Sequence, residues 1–215
     1  MVRLLTAAHA LQVAAASSAL SGKILHDCLN VSVKQNFTVT KGQNGTEQGW
    51  GYDINIDWKS HEVQNHFKGK TDVYIFSHGW LASMDFGPDH PSSPLNTKDG
   101  LFPRMMRSLA GAGQEAATTA YVCINWPSGG GSTNVLQYKS FWHMRQRAVA
   151  VGTSAGGQLL RDLHEHLPAA VHEAKLHLVG HSFGCAVLSA AVRDSNLELP
   201  VTSLVLLQAA MSPRY

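Results

Sequence analysis

Three nearly continuous apolar runs constrain the fold of this chain most strongly. They are VYIF at 73–76, AYVCINW at 120–126 and LHLV at 176–179. Runs of this kind are typical of strands buried on both faces of a parallel sheet. Helix-like segments at 102–112 and 138–167 separate the runs, as the crossovers of βαβ units do. The pattern predicts the α/β class, with a mostly parallel central sheet and helices on both of its faces.

Three more strands and a helix complete the predicted architecture. Residues 31–40 and 50–58 alternate apolar and polar side chains, and an Asn-Gly turn signal lies between them, so they are expected to form a hairpin. Residues 183–194 are predicted to be a helix, and 202–208 a strand. We expect the sheet to be truncated after this sixth strand, which would leave 202–208 as an unpaired apolar edge prone to aggregation.

The composition fits one globular domain without a nucleic-acid partner. Of the 215 residues, 44% are hydrophobic and 15% are charged, which supplies enough apolar material for a single core. The formal net charge is only +2. Because the Lys and Arg residues are scattered along the chain, the basic patch that nucleic-acid binding requires is missing.

The N-terminal segment leaves the cellular location open. Residues 1–22 have a basic start, an Ala-rich middle and small residues at the end, which is typical of a secretory signal peptide. An ordinary Ala-rich helix or a disordered leader fits equally well, whereas a transmembrane segment does not, because the stretch is short and interrupted by polar residues. The folded domain is placed at 23–215. Three N-x-[ST] patterns, at Asn30, Asn36 and Asn44, favour secretion mildly, so secreted and cytoplasmic locations both stay open.

The cysteines indicate no metal site and no network of disulfides. Cys28, Cys123 and Cys185 lack C-x-x-C spacing and cannot all pair. The sequence therefore predicts neither a zinc ribbon nor a disulfide framework. Cys123 and Cys185 lie in apolar segments and are expected to be buried.

The segment GHSFG at 180–184 carries the strongest chemical signal. It is a complete G-x-S-x-G, preceded by the strand LHLV and followed by the small-residue segment CAVLSAAV. This is the context of a nucleophile elbow, a sharp turn that exposes a serine above the sheet. We therefore expect Ser182 to be a nucleophile, and the backbone N–H of Phe183 to point at a developing oxyanion.

A second oxyanion donor is expected at the end of the first apolar run. His78-Gly79-Trp80 follows the predicted strand 73–76. The loop after the corresponding strand supplies the other N–H in this arrangement, here most plausibly that of Trp80. Gly79 leaves the backbone approachable. For His78 a structural hydrogen bond to nearby backbone is favoured over proton transfer.

Together, FSHGW, NWPSGG, GHSFG and LVLLQAA occur in an order that resembles the α/β-hydrolase superfamily over residues 50–215. The segments DINIDWK, SFWHMRQRAVAVG and HLVGHSFGCAV are similar to those of a largely uncharacterised α/β-hydrolase-like group. The resemblance implies a serine hydrolase acting on a small acyl substrate, with Ser182 as nucleophile and oxyanion N–H groups at Phe183 and Trp80. It implies no cofactor, no metal and no particular substrate.

The rest of the catalytic triad has no match. In the superfamily the serine is followed along the chain by an acid and then by a histidine, but residues 183–215 contain no histidine. Asp194 and Glu198 are the only carboxylates there, and both are predicted on the wrong side of the sheet. We infer either a fragment of a longer hydrolase or a shortened protein that keeps the fold without the triad.

No other histidine replaces the missing base convincingly. The ring of His181 is expected to diverge from the Ser182 hydroxyl, and His90 is expected in a solvated loop. His164 and His166 lie two positions apart on a helix and face different directions, so they do not form a metal pair.

Two function classes therefore remain. The leading hypothesis is a serine hydrolase of esters or related acyl compounds that works through an acyl-enzyme at Ser182. The alternative is a non-catalytic α/β-hydrolase-like domain that keeps its pocket for binding or assembly. Trp126, Phe141 and Trp142 could line an acyl pocket, although core positions are favoured for them. The oligomeric state stays open.

Overall fold

The computed structural model describes eight segments of the chain, and all statements on structure below refer to them: 24–25, 28–42, 45–80, 100–113, 117–128, 137–166, 174–195 and 201–210. The leader at 1–22, the His90 loop and Glu198 lie outside the described residues.

Eight strands and five α-helices make up this part of the chain. In chain order they are β1 (Ile24–Leu25), β2 (Cys28–Ser32), β3 (Lys34–Gly42), β4 (Gly45–Asp53), α1 (His61–Phe67), β5 (Asp72–Ser77), α2 (Leu101–Gly111), β6 (Thr119–Asn125), α3 (Gln137–Val151), a π-helical turn (Gly152–Gly156), α4 (Gly157–His166), β7 (Lys175–His181), α5 (Phe183–Asp194) and β8 (Val201–Leu207). None of these helices combines the length and the apolar character needed to cross a membrane.

The central sheet is mostly parallel, as predicted. Its six strands lie in the order β1-β2-β6-β5-β7-β8. The two-residue β1 runs antiparallel to β2, and the other neighbouring pairs are parallel. Strands β5 and β6 lie in the interior of the sheet and are buried along nearly their whole length, which explains why their sequences are apolar without alternation. The α/β class is confirmed.

Helices cover both faces of this sheet. On one face α2 buries Phe102 and Met105 against Tyr74, Phe76 and Val179 of the sheet. On the other face the larger core brings side chains of α1, α3, α4 and α5 together, including Phe67, Met144, Leu160 and Leu188. Along α3, Met144, Ala148 and Val151 share the buried face predicted for them.

The hairpin exists, but its predicted boundaries were wrong. Strands β3 and β4 pair antiparallel in a separate two-stranded sheet. The predicted strand 31–40 spans two elements, because β2 leaves the hairpin and pairs parallel to β6, and residues 54–57 at the other end are not strand. Alternation misled here because the polar residues of β2 are buried: Asn30 bonds to Ser32 and to Asn125 of β6.

The predicted helical segment 138–167 is continuous, although it contains the adjacent glycines Gly156 and Gly157. The chain passes from α3 through the π-helical turn into α4 without leaving a helical path. A Cβ on Gly152 would lie 2.1 Å from the Val187 carbonyl oxygen of α5. The glycines of this turn therefore serve the close approach of two helices rather than a break.

A disulfide that the sequence did not predict joins two neighbouring strands. Cys28 of β2 and Cys123 of β6 are bonded, with their Cα atoms 6.0 Å apart. The pairing depends on strand order, which spacing along the chain does not contain. Both cysteines are buried, and Cys185 is a buried free thiol as expected.

Candidate functional site

Ser182 occupies a strained turn between β7 and α5. Its φ of 55° and ψ of −120° lie in a region that side-chain-bearing residues rarely adopt. Three main-chain hydrogen bonds fix it. The Ser182 N–H donates to Leu207 O at 2.9 Å, and Ser182 O accepts from the N–H groups of Cys185 at 3.1 Å and Ala210 at 3.3 Å. The turn lies at the carboxyl edge of the parallel sheet, where ligands bind in α/β folds.

The two glycines that flank the turn permit close backbone contacts. A Cβ on Gly184 would lie 2.1 Å from Ser77 O at the end of β5. A Cβ on Gly180 would lie 2.7 Å from both the backbone N and the Cα of Cys185. Because all these neighbours are backbone atoms, no side-chain movement would relieve the clash, and the G-x-S-x-G spacing has a steric cause.

The segment after β5 lies directly against Ser182, as the sequence predicted. A Cβ on Gly79 would lie 2.7 Å from Ser182 Cβ, so Gly79 leaves the space that the serine occupies. The half-buried Trp80 packs edge-on against Phe183, with ring centroids 6.4 Å apart. Its buried indole N–H has no hydrogen-bond partner. His78, Gly79, Trp80 and Phe183 are therefore gathered around the serine.

The N-terminus of α5 also lies at Ser182. Ser182 is the N-cap residue of this helix, and its side chain makes no capping hydrogen bond. The first N–H groups of a helix lack intrahelical partners and carry a partial positive charge. Negative charge that develops beside Ser182 would therefore be stabilised.

His78 is a structural residue held in the neutral form. The Trp126 backbone N–H donates to His78 Nε2 at 3.2 Å, so the ring proton lies on Nδ1, which donates to Gly79 O at 2.9 Å. The two rings stack 5.5 Å apart, and the Trp126 indole N–H donates to His78 O. Burial lowers the pKa of His78 from 6.5 to about 4. A proton on Nε2 would break the bond to Trp126, so His78 is unsuited to accept one from Ser182.

This buried histidine should make the fold sensitive to acid. The unfolded chain takes up a proton at His78 below pH 6.5, but the folded chain does so only below about pH 4, so stability falls as the pH falls between these values. At pH 5 we expect a loss of about 2 kcal/mol from this residue. Urea unfolding at pH 7 and pH 5 would measure it. The loss should be smaller in His78→Asn, and an equal loss in both chains would contradict the assignment.

The ring of His181 is held by a side-chain contact with Gln208. Its Nε2 lies 3.1 Å from Oε1 of Gln208, which follows β8 and also has a positive φ of 47°. Among the described residues, the two non-glycine residues with positive φ are Ser182 and Gln208, and they lie at one site. Backbone strain commonly accompanies function.

Asp194 lies at the opposite end of α5 from Ser182, where its carboxylate accepts local hydrogen bonds. Its carboxylate accepts hydrogen bonds from Arg193 at 2.9 Å and from Thr153 Oγ1 at 2.6 Å. These contacts, with Arg193 first, lower the pKa of Asp194 to about 2. A helix of this length separates it from Ser182 by about 17 Å. Within the described segments, no histidine or carboxylate is hydrogen-bonded to the Ser182 hydroxyl.

The three aromatic residues considered as core or pocket residues, Trp126, Phe141 and Trp142, differ in their burial. Trp126 is fully buried, as core positions require. Phe141 is half-buried and packs on Phe183, with centroids 5.0 Å apart. Trp142 is 62% exposed and belongs to neither group, because it faces outward from α3.

Sequence reasoning missed a group of possible metal ligands on α4. Asp162, Glu165 and His166 bring one ligand atom each within 4.8 Å of the others. Their spacing of i, i+3 and i+4 places them on one helix face. The sequence shows this spacing, but only His164 and His166 were considered as a metal pair. Glu165 and His166 are exposed, and Asp162 already accepts a hydrogen bond from the Trp58 indole at 3.2 Å.

A groove beside the elbow was also missed. It has a volume of about 840 Å³ and lies between α2 and the face of the sheet formed by β5, β7 and β8. His181, Leu207 and Gln208 line one end of it. Ser182 follows His181 in the chain and donates its N–H to Leu207 O. The shape of the groove depends on the packing of α2 against β8, which no local pattern records.

Comparison of the chain with protein families, with curated proteins and with solved structures finds no match.

Proposed function

We propose that this chain is a serine hydrolase that acts on carboxylic esters or related acyl compounds. The observation that carries the proposal is the strained conformation of Ser182 between β7 and α5. Such strain persists only where the surrounding structure maintains it, and it clusters at functional sites. The strand, serine and helix also match the context in which a nucleophile elbow is recognised.

The proposed reaction begins with attack of Ser182 Oγ on the acyl carbonyl. As the bond forms, the serine proton passes to solvent water, and the carbonyl oxygen becomes an oxyanion that the N–H groups of Phe183 and Trp80 would bind. Collapse expels the alcohol, which takes up a proton, and water then hydrolyses the acyl-enzyme. Loss of one oxyanion donor typically costs about 3 to 4 kcal/mol of transition-state stabilisation, so the Gly79-Trp80 loop matters nearly as much as the serine.

Whether a base can accept the proton of the Ser182 hydroxyl distinguishes this proposal from the alternative. His181 is bonded to Gln208, and His78 is buried and neutral. A serine without a base is a weak nucleophile, so we expect acylation by activated reagents and slow turnover of simple esters. The same observation favours the second candidate, a non-catalytic α/β-hydrolase-like domain that binds its ligand without cleaving it.

A fluorophosphonate probe tests the proposal, because it phosphonylates activated serines with loss of fluoride. We expect covalent labelling of the native chain and complete loss of labelling in Ser182→Ala. Ser154→Ala is the matched control, since Ser154 is also half-buried but donates to Ala150 O in the π-helical turn; it should label normally. Mass spectrometry locates the adduct. An unlabelled native chain would support the non-catalytic candidate.

A further inference from the structure

We propose that the groove between α2, β7 and β8 holds the acyl chain of the substrate, with the carbonyl carbon at Ser182. The ligand class is a medium-length acyl chain of about eight to ten carbons. The inference rests on the proposed function and adds the substrate class to it.

The walls of the groove are apolar on three sides. Phe76 and Val179 form its floor on the sheet, Met105 and Leu109 come from α2, and Val205 comes from β8. A concave site of about 840 Å³ falls in the range that small molecules occupy, whereas protein partners bind broader surfaces. An aliphatic chain is the ligand that such walls stabilise, because each buried methylene leaves water.

The polar residues of the groove are placed as an acyl ligand requires. His181 and Gln208 lie at the carboxyl edge of the sheet, beside Ser182. Arg104 of α2 also lines the groove, and no carboxylate does so within the described segments. The charge of Arg104 therefore complements the carboxylate that hydrolysis of the ester releases.

The length of the groove sets the length of the chain. On β8 the lining residues run from Ser203 to Leu207. Four strand steps span about 13 Å, which matches an extended acyl chain of roughly ten carbons. The far end of the groove is polar, because Ser203 Oγ and His177 Nδ1 lie 2.8 Å apart there. A longer chain therefore meets no further apolar lining residue on β8.

Equilibrium binding to Ser182→Ala tests the inference without any turnover. The probe is a fluorescent polyene fatty acid, displaced by saturated carboxylic acids of four to twelve carbons. We expect affinity to rise about threefold for each added methylene and to level off near ten carbons. Equal affinity across the series would overturn the proposal, and so would a chain that dimerises through β8 and binds no probe.

Two substitutions on the same strand provide a matched pair. Val205 is 42% exposed and lines the groove, whereas the neighbouring Leu204 is 39% exposed on the opposite face. Val205→Glu should weaken binding at least tenfold, and Leu204→Glu should leave it within twofold. Equal effects would place the ligand elsewhere. The chain-length series in the unaltered groove remains decisive if either variant fails to fold.

Arg104→Gln separates the head group from the chain. We expect fatty acids to bind about fivefold more weakly to this variant, and their methyl esters to bind within twofold of the parent, because only the acids carry the charge. Equal losses for acids and esters would exclude the role of Arg104. Length-dependent binding without Ser182 labelling would overturn only the hydrolase proposal, and labelling without such binding would overturn only the acyl groove.

Discussion

Replacing Gly184 with alanine is expected to lower the free energy of unfolding by about 3 to 5 kcal/mol. The new methyl group would lie 2.1 Å from Ser77 O, 2.6 Å from Ser77 C and 2.7 Å from His78 O. All three are backbone atoms of the β5 end, so relief requires α5 to move away from the sheet. The midpoint of urea unfolding measures the loss.

Gly111→Ala provides the control for this substitution. Gly111 ends α2, has an ordinary φ, and has nothing within 4 Å of the position of an added Cβ. Alanine there should be neutral or should stabilise by up to about 1 kcal/mol. Equal unfolding midpoints for the two variants would refute the close contact between α5 and β5. The Gly184 variant should also lose labelling of Ser182, because the turn depends on that contact.

Removal of the disulfide between β2 and β6 is expected to cost about 4 to 5 kcal/mol. The bond links Cys28 to Cys123 across a sequence separation of 95, and long closed loops restrict the unfolded chain most strongly. Unfolding in urea with and without a reducing agent measures the effect. We expect a clearly lower midpoint under reducing conditions.

The double variant Cys28→Ala/Cys123→Ala is the control for reduction. It should unfold at the lower midpoint and respond to the reducing agent no further. Cys185 should not interfere, because burial raises the pKa of its thiol to about 11 and keeps it unreactive. If the native chain and the double variant unfold at the same midpoint, the disulfide does not contribute to stability.

How much of the fold the sequence predicts depends on the burial of each strand. The runs that became β5, β6 and β7 were located closely, because strands covered on both faces carry a nearly continuous apolar pattern. Strand β2 was merged into the hairpin because Asn30 and Ser32, although polar, are buried. They bond to each other, and Asn30 also accepts from Asn125, which is distant in sequence. Local alternation carries no information on such partners.

The candidate site also contains some features that the sequence predicted and others that depend on contacts between distant segments. The turn at Ser182 was expected from the G-x-S-x-G pattern between a strand and a helix. The contacts of Gly79 with Ser182 and of Gly184 with Ser77 join residues about a hundred positions apart, so only the folded chain shows them. A structural hydrogen bond of His78 to nearby backbone was expected, and the ring bonds to Gly79 O. Its contact with Trp126 and the position of Gln208 depend on the packing of β6 and β8. The groove was missed entirely, since its walls come from elements that meet only in the folded chain.

Two main-chain bonds tie the Ser182 turn to β8 and to the residues that follow it, one from Ser182 N–H to Leu207 O and one from Ala210 N–H to Ser182 O. Among the described strands, β8 pairs with β7 alone, so its outer edge moves more freely than the interior of the sheet. Any molecule that damps the motion of this edge also holds the serine more rigidly. The conformation of the Ser182 turn is thereby open to allosteric adjustment from the outer edge of β8.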